Sequence, residues 1–258
     1  MKVAAIIPAR YASQRLPGKA MIEIAGKPMI VHVYERVAQS DALDSVIVAT
    51  DDERIADAVR AVGGNVAMTR ADHASGTDRV AEVATDLDAD LIVNVQGDEP
   101  LFNPKMLDDA LAPFKTNSDL RFGTLRAKIR ETNDIFDSNC VKVVVDLNDF
   151  ALYFSRAPIP FARGLMNLRG GHAGFSGTPD ERPDYWKHLG LYIYQRDFLL
   201  EYTQWPSGNL EQIERLEQLR AMEHGIRIIC PLTQYDTISV DTPNDLKRVK
   251  GLIENGHH

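Results

Sequence analysis

An α/β fold with a mainly parallel central sheet, covered by helices on both faces, is predicted by three observations. Short apolar runs alternate with amphipathic helical stretches from Val3 to Val95. The runs read as parallel strands, the first of them, residues 3–7, short, apolar and buried. They close on Pro, Gly or Asp clusters and lead into helices, not into hairpin partners, and this is the pattern of repeated strand–helix–strand units.

The elements follow in order. Residues 3–7 form the first strand, closed by Pro8, and a polar Gly/Pro loop runs over 9–19. A helix is expected over 29–39, with Ile30, Val33, Tyr34 and Val37 on one face. Residues 45–49 give a second strand, closed by Thr50-Asp51-Asp52, and 53–62 a second helix, stopped by Gly63-Gly64. A short strand over 66–68, a helix over 78–86 and a strand over 91–95 complete the first half, which ends at Gln96-Gly97-Asp98-Glu99-Pro100.

The second half differs. Residues 141–146 and 151–155 read as antiparallel strands around a turn at Leu147-Asn148-Asp149. The stretch 161–183 is rich in Gly, Pro and Arg, has no period, and reads as a long excursion from the sheet. A strand over 188–194, one helix over 210–224, a strand over 226–230 and a final helix opening at Ser239-Val240-Asp241-Thr242-Pro243 follow. One domain spanning 1–258 is expected, with a core over about 1–115 and 225–258 and a smaller part over about 116–224.

Composition narrows the function. The formal net charge of −8 argues against nonspecific nucleic-acid binding, which needs basic surface to neutralise phosphates. A few focused cations can still hold a small anion. The two cysteines, Cys140 and Cys230, have no metal spacing and read as reduced structural thiols. The apolar stretch 3–7 is too short for a signal or membrane segment, so a cytoplasmic location without membrane insertion is expected.

In a parallel sheet the ligand sits beyond the carboxyl ends of the strands. The loop Pro8-Ala9-Arg10-Tyr11-Ala12-Ser13-Gln14-Arg15-Leu16-Pro17-Gly18-Lys19 puts Arg10, Arg15 and Lys19 there, with Ser13 and Gly18 allowing close backbone approach. Arg offers planar forks to phosphate oxygens and Lys a point charge. The loop is neither GxxxxGK[ST] nor GxGxxG, so ordinary NTPase and dinucleotide sites are not indicated. Asp98, after an apolar strand and a Gly, fits a magnesium ligand or a turn-forming residue. Asp241 fits either a second ligand or a helix N-cap with Pro at N1. Ser75-Gly76-Thr77-Asp78-Arg79 opens a helix, where Thr77 or Asp78 either caps or meets a ligand. Gln96, Arg156, His188, Tyr192, Glu217 and Gln218 are the remaining polar residues in otherwise apolar elements. A lone His such as His188 is also readable as a satisfied core residue.

These segments together resemble the 3-deoxy-manno-octulosonate (Kdo) cytidylyltransferase family. The resemblance is carried by PARYASQRLPGK at 8–19, GKPMIVHVYER at 26–36, VATDDERI at 48–55, ADHASGTDR at 71–79 and VNVQGDEP at 93–100. It continues with VKVV at 141–144, ALYFSRAPIP at 151–160, KHLGLY at 187–192, LEQLR at 216–220 and VDTPNDL at 240–246. It implies a Rossmann-like nucleotidyltransferase fold, with a nucleotide-binding core over about 1–115 and 225–258 and a sugar-binding and dimerisation part over about 116–224, a homodimer, and transfer of CMP from CTP to Kdo for lipopolysaccharide or capsule synthesis. It implies that Arg10, Arg15 and Lys19 hold the CTP phosphates, with Pro8, Ala9 and Ser13 in the same loop, and that Asp98 and Asp241 hold Mg2+. Arg10, Lys19, Asp98 and Asp241 would then carry the chemistry. Ser75, Thr77 and Arg79 would line the cytidine side, and Gln96 and Asp98 would also face CTP. Gln96, Glu99, Arg156, His188, Tyr192, Glu217 and Gln218 would face the sugar acid. Two departures stand out: Ala20 follows Lys19 where the family continues with Pro, and residues 162–184 have no counterpart in the pattern. An 8-amino version of the sugar, or another sugar acid, is the alternative substrate; a non-catalytic nucleotide sensor is the alternative class.

Overall fold

The apolar run Val3–Ala9 becomes β1, in the interior of the central sheet; the computed structural model describes residues 1–12, 16–167, 174–176 and 182–255. A 3-10 turn over Lys19–Met21 and a small hairpin of β2 (Glu23–Ile24) and β3 (Lys27–Pro28) lead into α1 (Met29–Val37). The expected alternation then follows: β4 (Ser45–Thr50), α2 (Glu53–Arg60), β5 (Asn65–Met68), α3 (Gly76–Thr85) and β6 (Leu91–Asn94). β1 pairs in parallel with β4 on one side and β6 on the other, and β4 pairs in parallel with β5. Successive side chains of β1 point to opposite faces and so define the layers. Ala5 and Ile7 pack with Ile30 and Val33 of α1 and Ile55 of α2; Ala4 and Ile6 pack with Val80 and Ala84 of α3.

The chain continues through α4 (Lys105–Thr116), β7 (Phe122–Lys128), α5 (Thr132–Phe136), β8 (Lys142–Val145), β9 (Ala151–Ser155), β10 (Met166–Asn167) and β11 (Gly174–Phe175). It then runs through β12 (Trp186–Gln195), α6 (Arg196–Tyr202), α7 (Asn209–Glu214), α8 (Gln218–Glu223), β13 (Ile228–Ile229), β14 (Leu232–Thr233) and α9 (Pro243–Glu254). The sheet order is β13-β7-β12-β6-β1-β4-β5. β12 is antiparallel to both β6 and β7, so the sheet is mixed. β7 and β12, although they fall within 116–224, are therefore inner strands of the same sheet. β8 and β9 form the expected antiparallel pair, and β8 also pairs with β12. No helix among the described residues is long and apolar enough to cross a membrane.

Three local expectations are corrected. The single helix over 210–224 is two short helices, broken at Arg215, whose φ of +53° is left-handed. That conformation costs a non-glycine residue of order 1–2 kcal/mol. Hydrogen bonds offset it: the Arg156 guanidinium donates to the carbonyls of Glu214 at 2.7 Å and Arg215 at 3.4 Å, and the Glu214 carboxylate accepts from Ser155 Oγ at 2.6 Å. Those two carbonyls are the ones a continuous helix would give to the amides of Gln218 and Leu219. The strand over 226–230 shrinks to Ile228–Ile229. Finally, the N-cap of α9 is Thr242, not Asp241: Thr242 and Asp245 form a reciprocal capping box with Pro243 in the first turn. Part of the excursion lies outside the described residues. Met166 from it packs with Ile129, Ile135 and Tyr185 in a small cluster of its own.

Candidate active site

The carboxyl ends of β1 and β6 lie side by side, and the loops leaving them line a cleft of about 1140 Å³. Gly97 makes that closeness possible, because a Cβ there would stand 2.8 Å from the backbone oxygen of Pro8. Pro8, Ala9 and Arg10 line the cleft from the β1 side; Gln96, Asp98 and Glu99 line it from the β6 side. Arg10 is exposed to solvent. Ser13 and Arg15 lie outside the described residues.

Lys19 is the hub. Its ammonium bonds Asp98 Oδ2 at 2.5 Å and Asp241 Oδ1 at 3.0 Å. Burial works against the charge, but the two carboxylates outweigh it, and the Lys19 pKa is raised. Asp98 and Asp241 are brought together by the backbone, where the Val240 amide donates to Asp98 O at 2.9 Å. The carboxylates thus converge on one cation from residues far apart in sequence. No group of three or more His, Cys, Asp or Glu among the described residues is arranged to hold a metal ion. Two carboxylates open to a cleft fit magnesium, which keeps waters and takes substrate oxygens instead of a full protein cage.

On the third side, α3 points its N-terminus at the cleft through Ser75 and Gly76. Ser75 is the N-cap: its hydroxyl accepts from the Asp78 amide at 3.1 Å, and Asp78 returns a bond to Ser75 N at 3.0 Å. Arg79 borders the cleft but is buried, ion-paired with Asp51 at 3.1 Å and bonded to Thr69. Thr77 is buried, does not line the cleft, and donates to Glu217 Oε2 at 3.0 Å.

β12 supplies the remaining wall. A register shift between Leu189 and Tyr192 bulges the strand, and His188 and Tyr192 both border the cleft with ring centroids 5.4 Å apart. Thr124 Oγ1 lies 3.0 Å from Leu189 O, 2.8 Å from Leu191 O and 2.9 Å from His188 Nε2. Carbonyls only accept, so the single hydroxyl proton goes to one of them and Nε2–H donates to Oγ1. This tautomer leaves Nδ1 as the acceptor of the ring. Burial holds the imidazole neutral, lowering its pKa to about 3. Gln96 Nε2 donates to Gly190 O at 3.2 Å. Burial, then the charge of Asp98, pushes Glu99 up to about 8, a neutral acid at pH 7.

Glu217 and Gln218 stand behind this wall. Tyr192 OH donates to Gln218 Oε1 at 3.3 Å, and burial pushes Glu217 up to about 7. Arg156 borders the cleft, yet its guanidinium is engaged by the carbonyls of Ser138 at 2.8 Å, Glu214 and Arg215. Sequence reasoning missed Thr124, which fixes His188, and the Lys187–Asp236 ion pair at 2.6 Å on the cleft wall. Neither has a sequence signal: Thr124 sits in a strand with Arg and Lys, and Asp236 in a short loop.

The depressed His188 pKa has a consequence for stability. The unfolded chain takes up a proton below about pH 6.5, whereas the folded ring stays neutral down to about 3. The contribution is therefore fully retained above the unfolded value and lost as pH falls through that window. Urea midpoints of His188→Asn should decline less steeply than wild type between these limits; parallel declines would show that His188 does not titrate as the site requires.

The chain matches the family described as Cytidylyltransferase over residues 4–228. It is 54% identical over 249 residues to the 3-deoxy-manno-octulosonate cytidylyltransferase of Geobacter sulfurreducens, covering 96% of this chain and 98% of that one. It is 51% identical to the protein of the same name from Trichlorobacter lovleyi, covering 99% and 100%. Among solved structures it is similar to CMP:2-keto-3-deoxy-manno-octonic acid synthetase complexed with CTP, with a TM-score of 0.89, 43% identity and 99% of each chain covered.

Proposed function

The chain belongs to the 3-deoxy-manno-octulosonate cytidylyltransferase family, and from that premise we propose that it transfers CMP from CTP to Kdo, giving CMP-Kdo and pyrophosphate. The observation that carries this reading is the convergence of Asp98 and Asp241 on Lys19 beside the β1 loop. The anomeric hydroxyl oxygen of the sugar bonds to the α-phosphorus. The α–β bridging oxygen leaves with pyrophosphate, and the hydroxyl proton passes to solvent. Catalysis of this kind rests on positioning and on placing charge where it develops.

Lys19 offsets one of the two carboxylate charges, which lessens their repulsion of the triphosphate, and Arg10, exposed on the cleft wall, adds a second cation. Asp98 and Asp241 would hold magnesium, which when bound supplies polarisation of the attacked phosphate and a lower pKa for the sugar hydroxyl. Ser75 and Gly76 present the start of α3 to the nucleotide. Gln96, His188 and Tyr192 form the polar wall for the sugar, where the Nδ1 acceptor of His188 suits a hydroxyl. The same reading places the enzyme in the cytosol, supplying an activated sugar acid for lipopolysaccharide or capsule. It also carries a homodimer, supported by the exposed apolar side chains of Leu152, Phe161 and Ile213.

A panel of nucleotides and sugar acids tests the reading through pyrophosphate release. CTP should be preferred clearly over UTP, because a site that pairs the cytosine amino group leaves its partners unsatisfied with a uracil carbonyl. Kdo should outrun sialic acid, and an 8-amino-Kdo arm decides between the two sugars. Equal use of CTP and ATP would defeat the cytidylyltransferase reading.

A further inference from the structure

Lys142 opens β8 and is fully buried. Its ammonium donates to three backbone carbonyls: Asp137 at 2.8 Å, Cys140 at 2.5 Å and Arg156 at 2.7 Å. An ammonium has three donors, and this cage uses them all. Burial lowers its pKa, and an ammonium taken out of water is tolerated only when its protons are satisfied in this way.

The cage joins two segments that do not otherwise form one element. One is the turn over 137–140; the other is the chain leaving β9 at Arg156. Arg156 extends the network from its own side, since its guanidinium donates to the carbonyls of Ser138, Glu214 and Arg215. The turn, the end of β9 and the break between α7 and α8 are thereby fixed to one another by two neighbouring cations. Asn139, Cys140, Val141 and Arg156, which these bonds hold, all border the cleft. Val141 also accepts from the His188 amide at 2.9 Å, tying the same wall to the strand that carries His188 and Tyr192.

We infer that Lys142 is a positioning residue for the sugar acid: its carbonyl cage sets the wall that Asn139, Cys140 and Arg156 form beside His188 before the sugar arrives. The inference rests on the reading of this cleft as the CTP and Kdo site. The nucleotide side, built from the ends of β1 and β6 and the start of α3, shares none of these bonds. Loss of the cage therefore acts on one substrate and spares the other. A cation that merely stabilised the fold would affect both alike.

Lys142→Met keeps the length and removes the donors, leaving three carbonyls without their partner. The expected result is a KM for Kdo raised about tenfold or more, with kcat at saturating sugar within about threefold of wild type, since a displaced wall weakens positioning. The Kd for CTP, measured by calorimetry, should stay within about twofold of wild type. An unchanged KM for Kdo in the folded variant overturns the inference, and so does a parallel rise of both constants. Amide hydrogen exchange of the ligand-free wild type decides the matter if the variant does not fold. Residues 138–143 should exchange slowly without substrate and no more slowly with CTP; exchange at open-loop rates contradicts a preset wall. A wild-type enzyme that shows the slow exchange but turns over no Kdo leaves the cage intact and overturns the substrate reading instead.

Discussion

Asp98→Asn is expected to lower turnover by roughly 10²-fold or more at saturating CTP and sugar, by analogy with the contribution of metal and charge to other phosphoryl transfers. The substitution keeps the shape and removes one of the two negative charges that meet at Lys19. It should leave the fold alone, because the structural bond at this position is made by the backbone: Asp98 O accepts from Val240 N. The measurement is kcat against magnesium concentration. Near-normal turnover at saturating magnesium would remove Asp98 from the machinery, and a collapse of thermal stability would make it a structural residue.

Asp241→Asn is expected to be nearly as damaging, and here the structure sharpens the comparison. An N-cap Asp replaced by Asn would be almost silent, because Asn caps about as well. The cap of α9 is Thr242, with Asp245 returning the bond, so Asp241 has no capping duty to lose. The variant should show a large loss of turnover and a raised magnesium requirement, with a melting temperature within about 2 °C of wild type. Thr242→Ala is the matching control: it should lower the melting temperature by an amount corresponding to about 1 kcal/mol and leave the magnesium dependence alone. Wild-type turnover in Asp241→Asn would leave Asp98 as the only protein carboxylate in the account.

The half of the fold that was legible in the sequence is the half built from parallel strands, with β1, β4 and β6 mostly buried and β5 at the half-exposed edge. β1, β4, β5 and β6 are short apolar runs, and their helices have one clear apolar face, so period alone identifies them. β7 was not legible. Its Phe122-Gly123-Thr124-Leu125-Arg126-Ala127-Lys128 run mixes polar with apolar residues, and the buried Thr124 and Arg126 are satisfied by the carbonyls of Leu191 and Cys230. The break at Arg215 was not legible either, because the carbonyls that end the helix are captured by Arg156, far away in the chain. The Thr242 cap could have been read: Thr-Pro-Asn-Asp carries both the box and the proline. In the site, the loops after β1 and β6 were legible because strand ends locate ligands in such sheets. What they do to one another was not. Lys19, expected beside phosphates, also sits between Asp98 and Asp241. Thr77, expected at a ligand, holds Glu217. Lys142, unremarkable in a Lys-Val-Val-Val strand, is a fully buried cation.

If this cleft joins CTP to a sugar acid with loss of pyrophosphate, product stoichiometry must show it. The protein is incubated with CTP, Kdo and magnesium, and CMP-sugar and pyrophosphate are quantified by phosphorus NMR. The two products should appear in equal amounts, with neither formed when Kdo is omitted. Pyrophosphate or phosphate released from CTP without the sugar, or no release with it, would rule out transfer of CMP to the sugar.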